Sequence, residues 1–215
     1  RDSAGNIVAG GLENIGPAGR WRIRKYDQSL SLLLGTTSYE SPAAGPANLY
    51  AVAVDASGNV YAVGDEVGTA GAVNWRIIKY DASLRIPLAS VDYTGPGVLN
   101  DSARSVSLDA QGNIVVAGYD TQPGINYGWR VRKYDNALNL LDDQAHDGIF
   151  GGFDAANGVA CAGSSSVFMG GEEQVRGDYA DFAVARYDLA TFNPPSTPSG
   201  LTVFGYVGSI GLQWT

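Results

Sequence analysis

The chain has 215 residues, of which 45% are hydrophobic and 17% charged, and its net charge is −8. This is the composition of a globular protein rather than a disordered one. The negative charge argues against nucleic acid or an anionic membrane surface as a partner and leaves cations or neutral glycans open. No apolar run approaches the ~20 residues of a membrane span, so no membrane insertion is expected. Cys161 is the only cysteine, so an internal disulfide is impossible; within an apolar strand pattern it reads as a small core residue. The 29 glycines and 12 tyrosines suit an all-β chain with many tight turns.

In chain order, the first phrase is Asp2-Ser-Ala-Gly5-Asn6 followed by an apolar run. It returns as Asp55-Ala-Ser-Gly58-Asn59 and as Asp109-Ala-Gln-Gly112-Asn113. The Asp is suited to accept backbone amides, and Gly-Asn to supply the positive φ of a tight hairpin. A metal loop is a poor reading, because the alternating carboxylates and closing Glu of an EF-hand are missing. A strand of small residues precedes the second and third copies, Leu49–Val54 and Ala103–Leu108, and Asn157–Cys161 precedes a fourth, Ala162–Gly171, that keeps the strand and loses the Asp. After it comes the dominant signal, Trp21-Arg-Ile-Arg-Lys-Tyr26-Asp27. This recurs as Trp75-Arg-Ile-Ile-Lys-Tyr80-Asp81, as Trp129-Arg-Val-Arg-Lys-Tyr134-Asp135, and in degraded form as Phe182-Ala-Val-Ala-Arg-Tyr187-Asp188. The terminal Asp residues stand 54, 54 and 53 positions apart. Such a fixed period signals a repeat architecture.

Within the phrase the side chains alternate with period two. Trp21, Ile23 and Lys25 share one face, and Arg22, Arg24 and Tyr26 the other. Both faces carry large side chains, so both are expected to be covered. Trp21, Trp75, Trp129 and Phe182 are expected in equivalent buried places between neighbouring units, with Tyr26, Tyr80, Tyr134 and Tyr187 as matching structural positions. The recurring Arg and Lys residues read as stems packed between units whose heads reach Asp or carbonyl groups. A final strand follows each Tyr-Asp turn, at 30–34, 84–91 and 138–141. Each period thus holds four short antiparallel strands, the pattern of β-propeller blades. The expected blades are 1–48, 49–102, 103–156 and 157–192, the first lacking its innermost strand and the set belonging to a larger ring. A Pro/Ser linker, 193–200, then breaks the pattern.

The Trp-x-x-x-Lys-Tyr-Asp strand and the Asp-x-x-Gly-Asn hairpin resemble bacterial propeller repeats of the SBBP type. Residues 201–215, with Leu201-Thr-Val203 and Ile210-Gly-Leu212-Gln-Trp214, are similar to the first two strands of a fibronectin type III domain. The alternative is that this segment folds back to complete the first blade. The resemblance implies a module of a longer bacterial protein, secreted or at the cell surface, with neighbouring blades or domains of the same chain as its partners.

Long variable segments at 11–20, 36–48, 65–74, 92–102, 119–128, 142–156 and 172–181 are expected to be loops on one side of the scaffold. Binding usually resides in such loops. They carry Asp65, Glu66, Asp120, Glu172 and Glu173 together with Tyr119, Tyr127 and Tyr179, among further carboxylates and rings such as Asp101, Asp154, Asp178, Tyr39, Tyr93, Phe150 and Phe153. Carboxylates interleaved with aromatics suit a glycan, a cation or another surface protein; the plainer reading is a solvated acidic rim. The only histidine, His146, is expected in a surface loop and is a weak candidate for a catalytic base. One His and one Cys far apart hardly make a zinc site, and no metal or cofactor is expected. Three functions follow: a non-catalytic module for adhesion, ligand binding or spacing; a polysaccharide hydrolase or lyase using two carboxylates; or a subunit of a surface filament.

Overall fold

The computed structural model describes residues 1–14, 19–68, 70–97, 99–124, 126–148, 152–163, 166–176, 179–188, 201–206 and 209–214. For Asn126, Arg176 and everything after 200 it describes the backbone alone. The 193–200 linker, Phe150 and Asp178 lie outside the described residues. The chain is all-β. Four antiparallel sheets follow one another in sequence, each built from consecutive strands. The first contains β1 (Ile7–Asn14), β2 (Gly19–Tyr26) and β3 (Leu33–Tyr39). The second contains β4 (Ala47–Val54), β5 (Val60–Val67), β6 (Val73–Tyr80) and β7 (Pro87–Tyr93). The third contains β8 (Ser102–Leu108), β9 (Ile114–Gln122), β10 (Asn126–Tyr134) and β11 (Leu140–His146). The fourth has three strands among the described residues, β12 (Ala155–Ala162), β13 (Ser166–Arg176) and β14 (Tyr179–Asp188). A separate hairpin pairs β15 (Leu201–Tyr206) with β16 (Ser209–Trp214).

Two recurring turns set the hairpins. In the first, the Asp carboxylate accepts the Asn backbone amide at 2.8 Å (Asp2–Asn6) and 2.9 Å (Asp55–Asn59, Asp109–Asn113). The glycine alone takes positive φ, at 85°, 85° and 81° for Gly5, Gly58 and Gly112. The Asn does not share that role. Its side chain instead bonds the second carboxylate oxygen. In the second turn Leu30, Leu84 and Leu138 sit at φ of 59°, 60° and 68°. Left-handed backbone costs a branched residue ~1–2 kcal/mol. Burial of Leu84 and Leu138 against the preceding sheet offsets this, whereas among the described residues no other sheet covers Leu30, which is 60% exposed. These turns occupy positions expected to be strand, so β3, β7 and β11 start and end later than the pattern suggested.

The segments expected as long loops at 11–20, 119–128 and 172–181 are mostly strand, and 65–74 is half strand. β1, β5, β9 and β13 continue past the apolar phrase, and β2, β6, β10 and β14 begin before the Trp or Phe. The alternation that marks a strand is blurred there, because polar side chains on both faces are paired with one another.

The core is three slabs between successive sheets. Trp21 and Ile23 pack on Val60, Ala62, Ile78 and Tyr80; Trp75 and Ile77 on Ile114, Val116 and Tyr134; Trp129 and Val131 on Ala156, Val167 and Met169. The three Trp side chains are fully buried. Phe182, expected in the same setting, is 67% exposed. It lies on the one Trp-type face that no further sheet covers among the described residues. Cys161 is partly buried at the edge of the third slab. The innermost strands of the second, third and fourth sheets lie in succession, β8 against β4 and β12 against β8, and β4 lies against β1. No extended packing surface joins the first sheet to the fourth among the described residues, and no closed ring is formed.

Candidate functional site

The end of the sheets where β5, β9 and β13 finish carries most of the residues singled out from the sequence, and it divides them into two groups. The first group is structural. Asp65 and Glu66 are 4% and 3% exposed and Asp120 is fully buried. Asp65 accepts Asn48 Nδ2 at 2.9 Å and Ser102 Oγ of the next sheet at 2.8 Å. Glu66 accepts Arg76 Nε at 2.8 Å and the Tyr39 hydroxyl of the preceding sheet at 2.5 Å. Asp120 repeats this with Arg130 Nε at 2.8 Å and Tyr93 Oη at 2.6 Å. Burial, reinforced by these carboxylates, raises the Tyr39 and Tyr93 hydroxyl pKa values well above the phenol range. A ring on the last strand of one sheet therefore reaches a carboxylate on the next, and that sheet's own Arg holds it. Asp101 and Asp154, both fully buried, close the connecting loops by accepting backbone amides: Thr121 N at 2.8 Å for Asp101, Gly148 N and Gln174 N at 2.7 Å for Asp154.

The fourth sheet changes the latch. Ala183 stands where Arg76 and Arg130 stand, and the ring arriving from β11 is His146. His146 ends a strand and does not sit in the surface loop expected for it. Its Nε2 is 3.8 Å from Glu173 Oε2, an ion pair rather than a hydrogen bond, and its ring meets Trp129 edge-on at 5.6 Å. Asp154 and Asp147 add negative charge nearby. Glu173 first, and these two after it, raise the His146 pKa against the opposing effect of burial. A raised folded-state pKa stabilises fully below the unfolded value and loses that stability as pH rises through the folded value. Wild-type protein is thus expected to gain melting temperature at pH 5.5 over pH 8.5 relative to His146→Gln. The excess should be ~1 kcal/mol or less for a partly exposed pair. Equal pH dependence in the two proteins would refute the role.

The second group is available to a ligand. Each innermost strand carries one β-bulge, between Leu49 and Ala51, Ala103 and Ser105, and Ala156 and Gly158. The displaced residues are Tyr50, Arg104 and Asn157. A bulge re-aims a side chain out of the ladder, and these three form a row. The Arg104 guanidinium stacks 4.1 Å from the Tyr50 ring centre, and its Nη2 donates to Tyr119 Oη at 3.2 Å. Asn157 Nδ2 donates to Glu172 Oε1 at 3.3 Å. Arg104 Nε is buried with no partner. Beside the row, Tyr119, Tyr127 and Phe153 form a triad of rings with centroids 5.3, 5.7 and 4.7 Å apart. Phe153 is 48% exposed and Tyr50 40%. Asn100 reaches the Tyr127 hydroxyl at 3.5 Å. Tyr179, on β14, is 78% exposed. Among the described residues no group of three or more His, Cys, Asp or Glu is placed to hold a metal ion.

Of the eight predicted ligand residues, Tyr119, Tyr127 and Glu172 thus join this surface, and the main-chain oxygens of Tyr119 and Glu172 also accept the Trp75 and Trp129 indoles at 2.8 Å. Asp65, Glu66 and Asp120 are turned inward, and Glu173 faces His146. Sequence reading missed Tyr50, Arg104 and Asn157. The signal was there in their regular recurrence at positions 50, 104 and 157 on the small-residue strands. No family model matches the chain, and no characterised protein matches its sequence.

Proposed function

We propose that the four sheets are blades of a β-propeller and that the chain is a non-catalytic, secreted or cell-surface module that binds a glycan. The blade reading is supported by the repeat of sheet, turn and slab, and by innermost strands of small residues that crowd together. The binding reading rests on one observation, the row Tyr50–Arg104–Asn157 beside the rings of Tyr119, Tyr127 and Phe153. Exposed rings offer flat apolar faces to sugar C–H groups, while a few fixed polar groups select hydroxyls. Arg104, stacked on Tyr50 and bonded to Tyr119 Oη, and Asn157 put polar side chains beside those rings. Asp65, Glu66 and Asp120 are already engaged in the latches between sheets.

A glycan array probed with the whole chain tests this. Selective binding is expected, with Arg104→Ala and Tyr127→Ala each weakening it at least tenfold in titration calorimetry against the best glycan. A chain that binds nothing on the array, or variants that bind as the parent does, would defeat the proposal.

A further inference from the structure

Arg104 differs from the other arginines that the fold draws out of solvent. Arg20, Arg22, Arg76, Arg130 and Arg132 are buried or partly buried, and each forms an ion pair with a carboxylate. Arg104 is partly buried too, yet among the described residues no carboxylate pairs with it. Its neighbours are two phenols. The guanidinium lies 4.1 Å from the Tyr50 ring centre and 5.2 Å from that of Tyr119, and Nη2 donates to Tyr119 Oη at 3.2 Å. Carboxylates at this end of the sheets are engaged by other groups. Asp65 accepts Asn48 and Ser102, Asp120 pairs with Arg130, and Glu172 accepts Asn157. A charge drawn partly out of water carries a desolvation cost that an opposite charge offsets. The faces of Tyr50 and Tyr119 offset part of it through their ring quadrupoles.

We infer that the glycan is acidic and that Arg104 receives its carboxylate. This rests on the glycan reading above and narrows it to sugars that carry a carboxyl group. A guanidinium has five N–H donors. With one on Nη2 given to Tyr119, the second on Nη2 and the pair on Nη1 suit the two oxygens of a carboxylate, a planar match that strengthens each bond. The row also has a direction. At its other end Asn157 and Glu172 are exposed, and Glu172 repels a carboxylate while it accepts hydroxyls. The acid group is thereby set toward Tyr50 and Arg104, and the sugar hydroxyls toward Asn157. A net charge of −8 opposes a long polyanion such as nucleic acid, whose many charges would meet the acidic surface. It does not prevent a single carboxylate from meeting a single guanidinium at contact distance.

The probes are oligosaccharides ending in glucuronic, galacturonic or N-acetylneuraminic acid, each paired with its methyl ester, which keeps every ring and hydroxyl and loses the charge. Calorimetry with the whole chain should show an acid bound at least tenfold more tightly than its ester. Arg104→Gln should bring that ratio to within about twofold. The comparison of acid with ester on the parent protein needs no variant, so it decides even where Arg104→Gln melts early. Equal affinity for acid and ester overturns the inference and leaves the glycan reading standing, as does binding confined to neutral or sulfated glycans. A preference for the acid that survives in folded Arg104→Gln also overturns it. A chain that binds no glycan of any kind removes both readings.

Discussion

Trp75→Ala is expected to destabilise the protein by ~3–5 kcal/mol, the usual cost of emptying a buried aromatic site. The side chain is fully enclosed between the second and third sheets, edge-on to Tyr93 at 5.6 Å. Its indole N–H donates to Tyr119 O at 2.8 Å, so truncation also strips a partly buried carbonyl of this partner. For a chain of this size the loss corresponds to a melting temperature lower by on the order of 10 °C. Phe182→Ala is the matched control. It removes the equivalent ring, which is 67% exposed, and should cost less than ~1 kcal/mol. Thermal melts of the two variants check this; a Trp75→Ala protein that melts with the parent would show that the slabs are not what holds the sheets together.

Asp120→Ala is expected to cost about 3 kcal/mol, because it leaves a mostly buried guanidinium and a phenol without their shared acceptor. Arg130 keeps Asp143 at 3.2 Å, which holds the loss at the low end of the range for broken buried pairs. The contrast is Glu13→Ala. Glu13 occupies the same place in the first sheet, pairs with Arg20 at 2.9 Å and accepts Arg22 Nε at 2.8 Å, but among the described residues no ring from another sheet reaches it, and these groups are partly solvated. That change should cost clearly less than Asp120→Ala, because solvent screens the exposed pair. Urea denaturation gives both values. Equal losses at the two sites would mean that the carboxylate serves only its own sheet and does not latch it to the one before.

The comparison of these two carboxylates shows why the site was harder to read than the fold. Trp, Ile, Lys, Tyr and Asp recur at one spacing because each sheet must present the same apolar relief to its neighbour. A constraint that repeats in space leaves a period in the chain, so the all-β class, the strand order and the burial of Trp21, Trp75 and Trp129 were legible from residues alone. Asp65, Glu66 and Asp120 looked like exposed loop acids because a carboxylate carries no mark of its partner. Arg76, Arg130, Tyr39 and Tyr93 lie 10 to 27 positions away in the chain.

Phe182 and Leu30 make the same point at the two ends of the row. Their phrases match those of the buried copies, yet both are exposed, because burial is conferred by the neighbouring sheet. Local pattern thus determined which face of each strand is apolar, since alternation follows from the pleat. Only the tertiary structure decided which of those faces is covered, which carboxylates turn inward, and where bulges bring Tyr50, Arg104 and Asn157 into one row. Those outcomes depend on side chains that meet across sheets, and the chain order does not encode that distance.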